Sequence, residues 1–478
     1  MKHIHFLGIG GSGASGAAAI AKSLGFAVSG CDKEPFNEFT KDFDKDSIQT
    51  GHNPSHLFCH PEFISGSQKE IPKQVQNDKV KIDILAVTPA IFSLDPNNPE
   101  LLEAKKLGIP ILTWQQFVGE YLTKDKFIIA ICGTHGKSTT TAMIAKVLED
   151  SDLDPTVLLG AINPKWGTNY RISNRHPELD SGSKKNRFRI KSGMTKEYFI
   201  IEADEFNDNF LHHFPNITVV TNIEMDHPEY FKDINAYLDS FEKFLLQTKQ
   251  TIVANLTDKN VAEIVKDVMK ESRVSAFDFN KIEVDFDLKI PGEYNISNAR
   301  AAFSVGLQLG IESSIILQSL NNYSGIGRRF EHLGQFNGAE VYSDFGHHPT
   351  EIEKTMKAAR EKFPNRKIWL IYQPHMFSRT KALFDDFVKV FKNIAVDKII
   401  ITDIYPSREV NTGIISSQEL VTAINNTLIP NSRISVKVVQ KDEILKDIKP
   451  DVKSGDIIFF MGAGDIDKFA RELVKNEN

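Results

Sequence analysis

Cysteine is scarce. The 478 residues hold 3, Cys31, Cys59 and Cys132, and their wide separation matches neither a disulfide framework nor a paired zinc-ligand spacing. A reducing compartment is the expectation, with the three thiols acting as small apolar side chains. An excess of positive charge is also lacking: 57 Lys+Arg against 63 Asp+Glu leave a net charge of -6, so nothing advertises nucleic acid as a partner. Long apolar runs are missing too. Stretches such as Phe127 to Cys132 fall far short of the roughly 20 residues that a membrane-spanning helix needs. The Ala-rich segment Ala17 to Ala21 follows glycines where a signal peptide would carry a continuous apolar core. These absences describe a cytoplasmic protein without a membrane partner.

What is present is an ordinary globular composition, 41% hydrophobic and 25% charged, in a chain too long for one core, so three domains are expected. Ile4 to Leu7 reads as a strand, Gly8 to Gly13 as a glycine turn, the Ala-rich pattern to Leu24 as a helix, and Phe26 to Ser29 as a second strand with Asp32 beyond it. Further α/β signals lie at Ile82 to Val87 and Gly108 to Leu112. A second unit opens with the apolar run Phe127 to Cys132, then Gly133-Thr-His-Gly-Lys-Ser138, then a helical pattern from Thr139 to Leu148. From Arg328 on, strands are expected at Ile368 to Tyr372, Lys398 to Thr402 and Ile457 to Met461. Strands alternating with helices favour mainly parallel sheets. The expected fold class is α/β in three domains: a Rossmann-like domain over 1-123, a central P-loop ATPase-like domain over 124-326 and a second Rossmann-like domain over 327-478.

One feature lies outside this plan. His60-Pro-Glu-Phe-Ile-Ser-Gly-Ser67 recurs as His176-Pro-Glu-Leu-Asp-Ser-Gly-Ser183, each opening a polar, lysine-rich stretch. Two copies in two domains do not make a solenoid. Both read as insertions into surface loops, about 53-81 and 173-196, where added length costs little closure entropy. No catalytic role is assigned to them.

Three places carry chemistry. In the loop Gly133, Thr134, His135, Gly136, Lys137, Ser138 and Thr139, a glycine turn between strand and helix lets backbone N–H groups face phosphate oxygens at a helix N-terminus. Lys137 would reach the transferred phosphate, and Ser138 or Thr139 would give a hydroxyl to a magnesium ion. Ile131 stands where the standard phosphate-loop pattern has its first glycine. The N-terminal turn, Gly8, Gly10, Gly11, Ser12 and Gly13 with Asp32 downstream, suits a dinucleotide or a UDP group equally well, since both need a pyrophosphate at the turn and a ribose near the acid. Downstream, Ile200-Ile-Glu-Ala-Asp-Glu205 and Thr221-Asn-Ile-Glu-Met-Asp-His227 put carboxylates at strand ends, with Ser138, Glu202 and His227 as expected metal ligands.

With these motifs in view, the chain resembles the Mur ligases over nearly its whole length apart from the insertions. The glycine turn, the phosphate loop and the two acidic runs occur in family order. Tyr294-Asn-Ile-Ser-Asn298, Gly327-Arg-Arg-Phe330, Asp344-Phe-Gly-His-His-Pro-Thr350, Gln373-Pro-His-Met-Phe-Ser-Arg-Thr380 and Gly462-Ala-Gly-Asp-Ile466 follow. The resemblance implies a ligase in which the first domain binds UDP-N-acetylmuramate, the central domain binds ATP with Mg2+, and the last helps to bind the amino acid. It implies that ATP activates the lactyl carboxylate as an acyl phosphate, which the amine of L-alanine attacks, in peptidoglycan precursor synthesis. By resemblance Asn295, Arg329 and Asp344 contact ATP; His348, His375 and Arg379 lie at the substrate end; and Lys137, Glu202, His227 and Arg329 carry catalysis. A monomer or weak dimer is expected.

The histidine and glutamine motifs favour the alanine-adding member over ligases that add later residues; the tripeptide-recycling ligase of the same family shares the histidine motif, and the Gln373 stretch argues against it, while the intact motif set disfavours an inactive nucleotide-binding relative. Phe345 and Met376 depart from the pattern and leave glycine and serine as alternative acceptors. A carbamoylated lysine near the metals has no assigned position in Asp239 to Lys243.

Overall fold

The computed structural model describes residues 1–59, 80–174, 196–428 and 434–476. Both repeated His-Pro-Glu motifs lie outside the described residues. Ahead of the first, residues 54–57 form a short 3-10 turn with Leu57 fully buried, and Phe58–Cys59 pairs antiparallel with Val80–Lys81.

The described residues form three substantial sheets. In the N-terminal sheet, the order is Ile48–Thr50, Ala27–Asp32, His3–Leu7, Ile84–Val87 and Ile111–Thr113, parallel throughout. The first strand, HIHFL, is buried at every position, as a parallel strand covered on both faces must be. The helix Ser12–Ser23, its alanines buried, also lies against the central sheet's outer strands. Leu158 lies 2.4 Å from the position of an added Cβ at Gly16, so a larger residue there would displace the Leu158 methyl.

The central sheet runs Thr168–Arg171, Thr156–Asn163, Tyr198–Glu202, Phe127–Cys132, Ile217–Val220, Thr251–Ala254 and Ser275–Asp278, parallel except for its first pair. The third sheet runs Glu331–Phe336, Ala339–Asp344, Ile457–Met461, Ile368–Tyr372, Lys398–Ile401 and Ser435–Val438, again with an antiparallel pair at one edge. The expected strands at Phe127–Cys132, Ile368–Tyr372 and Ile457–Met461 have those bounds in the structure. The second N-terminal strand starts at Ala27 and extends to Asp32, because Gly30, Cys31 and Asp32 find ladder partners in Ile48–Thr50.

The chain divides into two compact units, one holding Met1–Ile223, Leu238–Ile282 and Ala301–Ser319, the other Glu224–Tyr237, Glu283–Arg300 and Leu320–Asn478. The first therefore contains the N-terminal and central sheets, and the second contains the third sheet. No helix among the described residues is long and apolar enough to cross a membrane.

Candidate active site

The phosphate loop leaves the C-terminal end of Phe127–Cys132, a strand flanked by Tyr198–Glu202 and Ile217–Val220. Loops from all three strand ends converge there, as open α/β sheets place their ligands. The loop is clamped from the third strand: Thr134 N–H donates to the Asn222 carbonyl at 2.9 Å, and His135 N–H to the Asn222 side chain at 3.0 Å. The Thr221 hydroxyl donates to the His135 carbonyl at 2.6 Å. Gly133 has φ +122°, and a Cβ there would stand 2.2 Å from the Thr221 hydroxyl. The helix Lys137–Asp150 starts immediately after Gly136, with Ser138 and Thr139 buried at its first turn.

Lys137 folds back over this loop. Its ammonium donates to the Gly133 carbonyl at 2.6 Å and to both oxygens of Glu205 at 3.0 Å. Burial disfavours the charge, but Glu205, then Asp204 and Glu202, more than offset it and hold the group above the ordinary lysine range. Ser138 and Glu202 are brought together as expected: the hydroxyl donates to the carboxylate at 2.9 Å, and Gly160 N–H donates to its other oxygen at 2.8 Å.

At the N-terminal turn, Gly8 N–H bonds the Cys31 carbonyl at 2.8 Å and Gly10 N–H bonds the Asp32 carboxylate at 3.0 Å. Asp32 thus braces the turn itself. Gly8 has φ +88° and lies against Thr88; Gly13 lies under Trp114, whose ring would be 2.3 Å from an added Cβ. Gly11 caps the helix that begins at Ser12. Neither Thr88 nor Trp114 was legible as part of this turn, since each sits just beyond the end of a strand distant in sequence.

The second unit gathers the remaining residues. Arg379 is buried and donates from Nε and Nη2 to Asp226 at 3.1 and 2.8 Å, while its Nη1 faces His375 Nδ1 at 3.2 Å. A solvated surface arginine is ruled out. His375 stacks on Tyr405, and burial, with His347 and Arg379 adding to it, lowers its pKa to about 2. His227 has φ +55° and faces Glu229 at 3.3 Å, in the same unit as Asp226. His348 is the N-cap of the helix Pro349–Lys362, its ring accepting from Thr350 N–H at 3.3 Å with Glu351 completing the capping box.

Asp344 accepts N–H bonds from Phe330 and Gly346, both at 2.8 Å, and so ties two loops at the end of its strand. Burial raises its pKa to about 6, with Arg329 opposing. Phe345, next in sequence, lies 4.8 Å from both the Arg328 and Arg329 guanidinium groups. Asn295 is buried, donating to the Pro291 carbonyl at 2.6 Å and accepting from Asn298 at 3.2 Å. Met376 holds φ +70°, a strained value for a side-chain-bearing residue, fixed by its N–H bond to the Tyr405 carbonyl at 2.8 Å.

Two partners escaped the sequence reading. Glu205 and Asp226 sat inside motifs already recognised, but nothing in their spacing says that Lys137 and Arg379 are the cations they bind.

Family models describe the same three parts: the Mur ligase family catalytic domain over residues 3–50, the Mur ligase middle domain over 131–281 and the Mur ligase glutamate ligase domain over 328–464. A UDP-N-acetylmuramate–L-alanine ligase of Acetivibrio thermocellus is 36% identical across 100% of this chain and 96% of its own. The chain belongs to the Mur ligase family. A relative of the same name from Caldicellulosiruptor bescii is 34% identical over 99% of each chain. Among solved structures, the UDP-N-acetylmuramate-alanine ligase of Thermotoga maritima superposes with a TM-score of 0.71 at 24% identity, covering 100% of this chain and 99% of that one. A murein peptide ligase of Psychrobacter arcticus gives 0.65 at 22%, covering 99% and 98%. This Mur ligase shares their fold.

Proposed function

We propose that the chain is a cytoplasmic ligase that joins L-alanine to the lactyl carboxylate of UDP-N-acetylmuramate, using ATP and releasing ADP and phosphate, for peptidoglycan precursors. One observation carries the reading: relatives named for this reaction match 97–100% of the chain at 33–36% identity.

The residues fit the chemistry. The turn Gly8 to Gly13 offers backbone N–H groups at a helix N-terminus to the pyrophosphate of the sugar nucleotide. The loop Gly133 to Thr139 does the same for ATP, and Lys137 exchanges its Glu205 partner for phosphate oxygens as charge gathers on the transferred group. The Ser138 hydroxyl and Glu202 carboxylate, 2.9 Å apart, are an oxygen-only donor pair suited to Mg2+. Such an ion supplies charge neutralisation between carboxylate and triphosphate. The assignment of His227 as a further metal ligand rests on its place in the acidic run Thr221 to His227 beyond a strand end.

For Asn295, Arg329 and Asp344 the proposed role is contact with the nucleotide. Phe345 sets the Arg329 guanidinium, and Asp344 fixes the loop that carries it. For His348, His375 and Arg379 the proposed role is at the acceptor end. Arg379 has its charge matched by Asp226, so it acts there by positioning His375, which burial keeps neutral. No nucleophilic side chain is needed, because the substrate carboxylate attacks phosphorus and the alanine amine attacks the resulting acyl phosphate.

The test is ADP release by purified protein with ATP, Mg2+ and UDP-N-acetylmuramate, adding L-alanine, glycine, L-serine or the tripeptide separately. Turnover strongest with L-alanine is expected. Tripeptide-dependent turnover would assign the recycling reaction, and the absence of turnover with every acceptor would refute both.

A further inference from the structure

Behind the N-terminal glycine turn, on the far side of Cys31, four side chains from four separate elements point at one another. His5 comes from the first strand, Cys31 from the second, His56 from the turn Pro54–Leu57 and Glu100 from the first turn of the helix Pro99–Leu107. His5 Nε2 lies 3.4 Å from Cys31 Sγ and 3.3 Å from Glu100 Oε2. Cys31 Sγ lies 3.1 Å from Glu100 Oε1, and His56 Nδ1 lies 2.9 Å from that same oxygen. All four ligand atoms fall within 4.8 Å of one another.

From this geometry we propose that His5, Cys31, His56 and Glu100 bind one zinc-class divalent cation in a structural site that none of the catalytic roles uses. Tetrahedral zinc with its usual bond lengths separates nitrogen from oxygen ligands by about 3.3 Å, and sulfur from either by about 3.5 Å. The two separations from His5 match those values, while Cys31 and His56 stand 3.1 and 2.9 Å from Glu100 Oε1 and would open by a few tenths of an ångström around an ion. One thiolate and one carboxylate match the charge of a divalent ion, and a mixed sulfur, imidazole and carboxylate set selects a borderline-soft metal over Mg2+.

The surroundings support ligation. His5 presents Nε2 to the cluster because its Nδ1 is held by the Ser29 hydroxyl at 2.8 Å, the outer-shell hydrogen bond that orients a metal-bound imidazole. Asn53 N–H holds Glu100 Oε1 at 2.9 Å. The Glu100 side chain is fully buried, whereas His56 and the neighbouring His52 are 11% and 12% exposed, which gives an ion a route in from the surface. His52 Nδ1 stands 3.4 Å from Cys31 Sγ, on the rim of the cluster. Without a cation, burial and then Glu100 push the Cys31 thiol far above its ordinary range, so it stays protonated; binding expels that proton and depends on pH accordingly.

The position gives the site a purpose. The Cys31 carbonyl receives the Gly8 and Ile9 amides at 2.8 and 3.2 Å, and Asp32 braces Gly10. A metal at Cys31 therefore pins the strand end on which the glycine turn rests.

The experiment uses the full chain, purified without a metal-affinity tag and dialysed with Mg2+ present. Elemental analysis is expected to find about one zinc per chain. Replacement by Co2+ is expected to give intense tetrahedral d–d bands and a thiolate-to-cobalt charge-transfer band. Oxygen ligation in the phosphate loop gives neither. Cys31→Ser should abolish the charge-transfer band, and His56→Gln should weaken metal retention at least tenfold. Removal of the metal from wild-type protein should lower its Tm. Wild-type protein that retains no stoichiometric zinc and shows no thiolate band on cobalt titration would overturn the proposal and leave the cluster as a hydrogen-bond network. That readout needs no variant to fold.

Discussion

Nε and Nη2 of Arg379 both donate to a single oxygen of Asp226, and the two side chains are only 2% and 7% exposed. A charge pair buried this deeply is costly to break from one side, because the remaining charge keeps its desolvation penalty. Arg379→Met is expected to destabilise the protein by about 3–5 kcal/mol. Asp226→Asn should cost comparably, and the double variant less than the sum. Urea denaturation of all four proteins, read as a double-mutant cycle, measures the coupling.

The same pair predicts an acid limb in stability. Burial opposes ionisation of Asp226, but His227, Arg379, His347 and His348 hold its carboxyl well below the usual carboxylate range. A depressed native pKa contributes stability that is fully present above the unfolded value and is lost as pH falls through the native one. Wild-type stability should therefore drop below about pH 4 more steeply than that of Asp226→Asn.

Asp344 should act in the opposite sense. Its native pKa of about 6 lies above the unfolded value, so its contribution is greatest at low pH and declines as pH rises from about 4 to about 6. In Asp344→Asn, a denaturation series over that interval should flatten. A slope equal to that of wild type would show that the carboxyl is ionised in the native protein throughout.

Lys137 donates to Glu205 and to the Gly133 carbonyl, so its removal takes the buried acid's counter-charge together with the proposed partner of the phosphate. Lys137→Met is expected to lower kcat/KM on the order of 10³-fold in ADP release. Lys137→Met combined with Glu205→Gln should regain stability without regaining turnover. Recovery of activity in the double variant would remove Lys137 from the chemistry.

Gly133 tests the loop without touching a charge. Gly133→Ala places a Cβ 2.2 Å from the Thr221 hydroxyl at φ +122°, so the loop must shift away from Asn222. A lowered Tm, from about 1–3 kcal/mol of strain, and weakened ATP binding are expected together. Calorimetry on the free and ATP-bound protein reads both.

Local pattern determined much of this molecule. Apolar runs bounded by glycine turns located the central strands of each sheet, and the glycine loops with their following helices located the two strand-to-helix turns proposed to hold phosphates, because those features depend on neighbours within a dozen residues. Tertiary structure alone decided the partners. Glu205 meets Lys137 across 68 positions and Trp114 covers Gly13, because parallel sheets bring distant strand ends side by side; Arg379 meets Asp226 across 153, in a contact between segments that follow strands of two different sheets. The isolated spacing of Cys31 argued against a metal site for the same reason. Its companions His5, His56 and Glu100 come from three other elements, and only the folding of the N-terminal sheet places their ligand atoms within reach of one ion.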